Sequence, residues 1–226
     1  MKKTSLVILL FFVSCRSMER ADHSETMPDT TQAVVASLEN FFRPLFPEDM
    51  SEFPKEDIRK LYEAIKQNHT DVVSQQIAAG VDPNAYHFKD TVLHLAAGWG
   101  RKSAVQMLLA AGGNPNLING RNGGSTPLTD AVNSASNSFS LIGKPGYKEI
   151  VDTIELLLDN GADPNFGGHS GWTPLHCAAR WNLVEIATLL CSKGADPQKK
   201  NMYDRTPLDI AVLCSSDKMI ELLKNK

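Results

Sequence analysis

Apolar and polar positions divide the chain into stretches with different rules. Leu6 to Val13 is an unbroken apolar run behind Lys2 and Lys3, closed by the small Ser14. A membrane-spanning helix takes about 20 apolar residues, so this run is too short to be one. Two positive charges, a short greasy stretch and a small residue form the layout of a secretory signal. Residues 16–31 are polar, hold one proline and show no apolar period. Such a stretch cannot bury enough surface to fold alone and reads as a flexible tether. Val34, Val35, Leu38, Phe41 and Phe42 then fall near helical spacing, and Pro44 and Pro47 stop that helix. From Asp57 onward the pattern turns into short amphipathic helices. Leucine pairs (Leu108-Leu109, Leu156-Leu157, Leu189-Leu190) are each followed closely by a glycine, at Gly112, Gly161 and Gly194. Glycine there suits the left-handed corner that ends a helix.

This last region repeats itself. Asp82-Pro83-Asn84, Asn114-Pro115-Asn116, Asp163-Pro164-Asn165 and Asp196-Pro197-Gln198 are copies of one turn. A second series reads Thr91-Val92-Leu93-His94, Thr126-Pro127-Leu128-Thr129, Thr173-Pro174-Leu175-His176 and Thr206-Pro207-Leu208-Asp209, at intervals of 35, 47 and 33 residues. Threonine can cap a helix, and proline fits the first helical position, where its missing N–H costs nothing. A period near 33 with a Thr-Pro-Leu-His start resembles the ankyrin-repeat family over about residues 57–226. The resemblance implies an all-α solenoid of about five helix-turn-helix repeats, preceded by one extra N-terminal helix. Helices of about 8 to 10 residues are too short to stand alone, so each repeat needs its neighbours.

The resulting division is 1–14 signal peptide, 15–31 tether, 32–56 N-terminal helix and linker, and 57–226 repeats. The repeats run 57–88, 89–122, 123–169, 170–202 and 203–226. The third carries an excess of 14 residues around 133–148, rich in Ser, Gly and Pro. It reads as a loop between two helices, either a tolerated surface insertion or a recognition loop. The end repeats are expected to act as caps with polar outer faces.

Composition narrows the function. The net charge of −3 and the absence of a basic stripe give no reason to bind nucleic acid. No His-Glu-x-x-His, Cys-x-x-Cys, phosphate-binding glycine loop or Gly-x-Ser-x-Gly occurs in the sequence. No catalytic residue, metal or cofactor is therefore expected. Cys177, Cys191 and Cys214 read as small hydrophobes near buried helix positions, although one pair could bridge in an oxidising compartment.

Phe12-Val13-Ser14-Cys15 resembles the lipobox of bacterial lipoproteins. That resemblance implies cleavage before Cys15 and acylation of its thiol and new amino terminus; ordinary signal-peptidase cleavage nearby is the alternative. Arg16 then favours an outer-membrane lipoprotein facing the periplasm, attached to the membrane only through the lipid. The ankyrin resemblance implies a protein partner held along turn tips and first helices lining a concave groove. Carried over position by position, the contacts are Tyr86, Phe88, Trp99, His169, Trp172, Arg180, Trp181, Tyr203 and Arg205. The expectation is a monomeric, non-catalytic binding module of the bacterial envelope. Narrower alternatives are a periplasmic immunity protein neutralising a toxin enzyme, and a protective factor for periplasmic enzymes under oxidative stress.

Overall fold

The computed structural model describes residues 56–120, 124–137 and 145–226. The signal, tether and N-terminal helix expected over residues 1–55, Cys15 among them, lie outside the described residues. Ten helices occur among the described residues, in five pairs. They are α1 (Glu56–Gln67) with α2 (Thr70–Ala78), α3 (Val92–Gly98) with α4 (Lys102–Ala110), and α5 (Pro127–Asn137) with α6 (Pro145–Asp159). α7 (Pro174–Arg180) with α8 (Val184–Ser192) and α9 (Pro207–Leu213) with α10 (Asp217–Lys224) complete the series. The first helices pack on one another in chain order, α1 to α9. Behind them α2 packs on α4, α4 on α6, and α8 on α10.

Local chemistry sets each pair. Thr91, Thr173 and Thr206 cap α3, α7 and α9, each side chain accepting the backbone N–H three residues on. Residue three of each cap, His94, His176 or Asp209, accepts the threonine's own N–H in return, closing a capping box. Four of the first helices, α1, α3, α7 and α9, end in a left-handed corner at Asn68, Gly100, Asn182 or Ser215. The N–H after each corner donates back to Ala64, Ala96, Ala178 or Ala211, the six-to-one bond of a Schellman turn. The second helices end alike at Gly80, Gly112, Gly161 and Gly194, with φ between +84° and +92°.

The core is a single cluster running through all five pairs. Leu93, Leu128 and Leu175, two residues after their threonines, are at most 1% exposed. Ala96, Ala131, Ala178 and Ala211 are fully buried and let adjacent first helices approach. Leu108, Leu157 and Leu190 fill the layer between the first and second helices. Burial is worth roughly 1.5–3 kcal/mol for each such leucine, and most of it comes from neighbouring pairs.

The insertion departs from expectation. Of the stretch 133–148, residues 133–137 continue α5 and residues 145–148 begin α6; only 138–144 lies outside the described residues. The insertion thus lengthens both helices. Ser136 lends its hydroxyl to the Asn133 carbonyl, Pro145 takes the first position of α6, and Tyr147 is buried. Serine and proline were read as loop formers, but serine can satisfy itself inside a helix and proline at its start. The last repeat is mostly polar on its exposed side, with an apolar exception. Position six after the threonine is buried at Ala97, Val132 and Ala179, but Val212 is 56% exposed and Leu213 beside it 61%.

Candidate partner-binding surface

Between repeats the chain projects tips just ahead of the first helices. The first tip is a two-stranded hairpin, β1 (Tyr86–His87) and β2 (Asp90–Thr91), with Tyr86 opposite Thr91 and His87 opposite Asp90. Phe88 sits at its apex in the left-handed region, φ +58°. Its ring is 67% exposed and meets the His87 ring edge-on at 4.7 Å. His87 in turn stacks on Tyr62 of α1, with centroids 4.0 Å apart. Burial there lowers the His87 pKa. Tyr86 is exposed, and its hydroxyl donates to the Ile118 carbonyl of the next tip at 2.8 Å. In the last tip Asn201 N–H donates to Arg205 and Met202 N–H to Ser170 of the preceding tip. Tyr203 is 62% exposed there, and Arg205 is also exposed. His169 lies exposed on its tip with its ring near Gly124.

Histidines tie these tips to the helices behind them. His94 Nδ1 lies 2.7 Å from Thr91 Oγ1, and its Nε2 lies 2.9 Å from the Ser125 carbonyl of the next tip. His176 repeats the pattern, with Nδ1 at 2.8 Å from Thr173 Oγ1 and Nε2 at 2.9 Å from the Arg205 carbonyl. A carbonyl only accepts, so Nε2 carries the proton and Nδ1 accepts from threonine. Burial lowers the His176 pKa, which favours this neutral form.

At the other end of the first helices stand the tryptophans. Trp99 follows α3 and Trp181 follows α7; they are 40% and 38% exposed. Arg101 lies 5.9 Å from the Trp99 ring and donates to the Lys66 carbonyl. Arg180, in the last turn of α7, reaches both ends of that helix. Its guanidinium carbon is 5.0 Å from the Trp181 ring and 5.8 Å from the Trp172 ring. Trp172 departs from its expected place on the free surface: it is half-buried, packs against the core and lies 5.8 Å from the His176 ring. The residue ahead of the cap is Asp90, Ser125 or Arg205 in the other repeats, so spacing alone marked the position without showing how far an indole there would reach inward. Sequence reading passed over Arg101. Its signal was a basic residue two places after an exposed tryptophan.

The thiols differ in access, from the buried Cys177 to the exposed Cys214. Cys177, Cys191 and Cys214 are free, and burial pushes the Cys177 thiol up to about 12. Thiolate is the reactive form, so Cys177 behaves as a core side chain. Among the described residues no group of three or more His, Cys, Asp or Glu side chains is placed to hold a metal ion. No helix among them is long and apolar enough to cross a membrane.

Known proteins share this pattern. The profile of the family described as ankyrin repeats, in three copies, matches residues 61–151 and 146–226. The chain is 32% identical over 136 residues to the mouse B-cell lymphoma 3 protein homolog, covering 60% of this chain and 26% of that protein. It is 30% identical over 167 residues to the bovine mitochondrial disaggregase, covering 71% of this chain and 22% of the relative. It is 37% identical over 89 residues to the mouse 2-5A-dependent ribonuclease, covering 39% and 12%. The chain thus spans about a quarter or less of each of these relatives.

Proposed function

The chain belongs to the ankyrin-repeat family, whose repeats serve as protein-interaction modules, and from that premise we propose that it is a non-catalytic binder of a protein partner at a bacterial envelope membrane. The observation that carries the reading is the sorting of large side chains. Most leucines and isoleucines are buried in the core, while Phe88, Trp99, Trp181, Met202 and Tyr203 stand exposed on the tips and at the ends of first helices, with Ile118 and Leu213 as exposed aliphatic neighbours. Exposed aromatic rings beside arginines are the groups that most often carry binding energy. Trp172, Arg180, His169, Arg205 and Tyr86 complete the proposed contact set. The shared surface is a row of tips and helix ends, open rather than enclosed, which suits a macromolecule better than a small substrate. The protein is proposed to act as a monomer.

Attachment is proposed through acyl chains on Cys15, with the repeats on the periplasmic side of the outer membrane. Its support is the sequence Lys2 to Arg16 alone. One acyl chain holds only weakly and two or three hold firmly, at about 0.8 kcal/mol per buried methylene.

Two experiments test this reading. A photo-crosslinking residue in place of Phe88 or Trp181, in cells, is expected to capture one protein that the same residue in place of Glu155 or Lys218 on second helices does not. Equal capture from both sides would remove the assignment. For the anchor, an alkynyl fatty acid is expected to label the wild-type chain and not Cys15→Ser, and the variant should leave the membrane fraction. Labelling that survives the substitution rules out Cys15 as the acylated site.

A further inference from the structure

We propose that Arg180, held between Trp172 and Trp181, receives an aspartate or glutamate carboxylate from an acidic, otherwise apolar segment of the protein partner. The inference rests on the binding reading above and specifies its chemistry. Arg180 is exposed, yet its guanidinium lies within 6 Å of two indole rings. That distance is the range in which a cation is drawn to an aromatic face. The rings hold the long side chain along α7 and displace water from part of it, so less entropy is lost when an anion binds. A guanidinium presents a planar fork of donors whose matching ligand is a carboxylate. No ion pair or hydrogen bond occupies the Arg180 side chain among the described residues.

Outside α1, the acidic groups on the tips and first helices are Asp90, Asp130, Asp204 and Asp209. Each already accepts a donor of this chain: Asn119 on Asp90, Ser125 on Asp130, Lys200 on Asp204 and Thr206 on Asp209. Lys89, Lys199 and Arg205 on the same side are exposed, and no carboxylate lies within ion-pair distance of them among the described residues. Arg205 does lie close enough to Asp209 to help lower its pKa, behind the Thr206 donors and Lys200. The end of a helix carries partial negative charge, which opposes an incoming anion. In α7 that charge is already partly met, because the carbonyls of Cys177, Ala178 and Ala179 accept from Trp181, Leu183 and Asn182. The neighbours of Arg180 are two indoles, so residues flanking the carboxylate in the partner should be apolar.

Selection of random dodecamer peptides on the full-length chain, in detergent, tests the inference. Bound peptides are expected to carry more Asp and Glu than Lys and Arg. Arg180→Gln should weaken them at least tenfold with an unchanged thermal midpoint, and Arg180→Lys should weaken them less. Arg180→Glu should regain affinity for a peptide whose key acidic residue is changed to lysine. Acid-rich peptides indifferent to Arg180→Gln would overturn the proposal. So would neutral or basic peptides that still depend on Trp99 and Trp181, a result that leaves the binding surface itself in place. Peptides indifferent to both tryptophans, or no peptides at all, would remove the surface along with the proposal.

Discussion

Single side chains do two jobs in this protein, and one of them was hidden in a turn motif. Asn84, Asn116 and Asn165 occupy the same place in successive copies of the turn. Each donates to the carbonyl of the glycine ending the next second helix, at Gly112, Gly161 and Gly194. Each also accepts the backbone N–H of the next turn, at Asn114, Asp163 and Asp196. The result is an asparagine ladder running between repeats. Asn116→Ala removes two such bonds at an exposed site and should cost about 1 kcal/mol in urea unfolding, given roughly 0.5–1.5 kcal/mol for each bond made. Asn116→Asp should recover only the acceptor half. The second job is proton-dependent. His176 has a lowered pKa in the folded chain, chiefly from burial, against an ordinary value of 6.5. The unfolded chain therefore binds the proton first as pH falls. The contribution of neutral His176 is full above about pH 6.5 and is lost as pH drops from there towards the folded value. His87, lowered for the same first reason, acts in the same direction. The thermal midpoint should fall on acidification from pH 7.5 to 5, and His176→Gln should start lower but fall less steeply.

At the scale of an element, what matters is how each pair turns its corner. The corner of the second pair is Gly100, with φ +62°. A Cβ there would stand 2.8 Å from the Ile150 side chain of α6, so the residue is constrained by backbone and by packing together. Gly100→Ala should destabilise the fold by about 2 kcal/mol, since a left-handed non-glycine costs about 1–2 kcal/mol and Ile150 must also move. The equivalent corner at Asn182 has the same left-handed backbone, so Asn182→Gly should be neutral or slightly stabilising; chemical denaturation of both variants checks the contrast. The same scale explains the misread insertion. Residues 133–148 hold serine, glycine and proline, and composition alone points to a loop. Burial of Ala135 and Tyr147 instead recruits both ends into helices, because tertiary contacts outweigh weak local preferences.

Across the whole repeat region, stability comes from contacts between neighbours, so the ends should open first. Hydrogen exchange is expected to be slowest in α3, α5 and α7, each covered on both sides, and fastest in α1, α2, α9 and α10. Uniform protection from end to end would contradict this order. Much of this architecture was legible in the residues. Threonine before proline or valine, a leucine two places on, an alanine at the fifth and a glycine after a leucine pair are local rules, and they marked four of the five helix pairs. The family match and the described helices agree with that reading. Side-chain reach was not legible, because it depends on how side chains pack in three dimensions, often against groups distant along the chain. Only the folded structure brings Arg180 to Trp172 and Trp181, and only it draws Trp172 half into the core. It alone joins His94 to Ser125 and His176 to Arg205, and leaves Val212 uncovered where the same position in earlier repeats is buried. Spacing along one helix decides which face a residue shares, whereas what it meets there is decided by the next repeat packed against it.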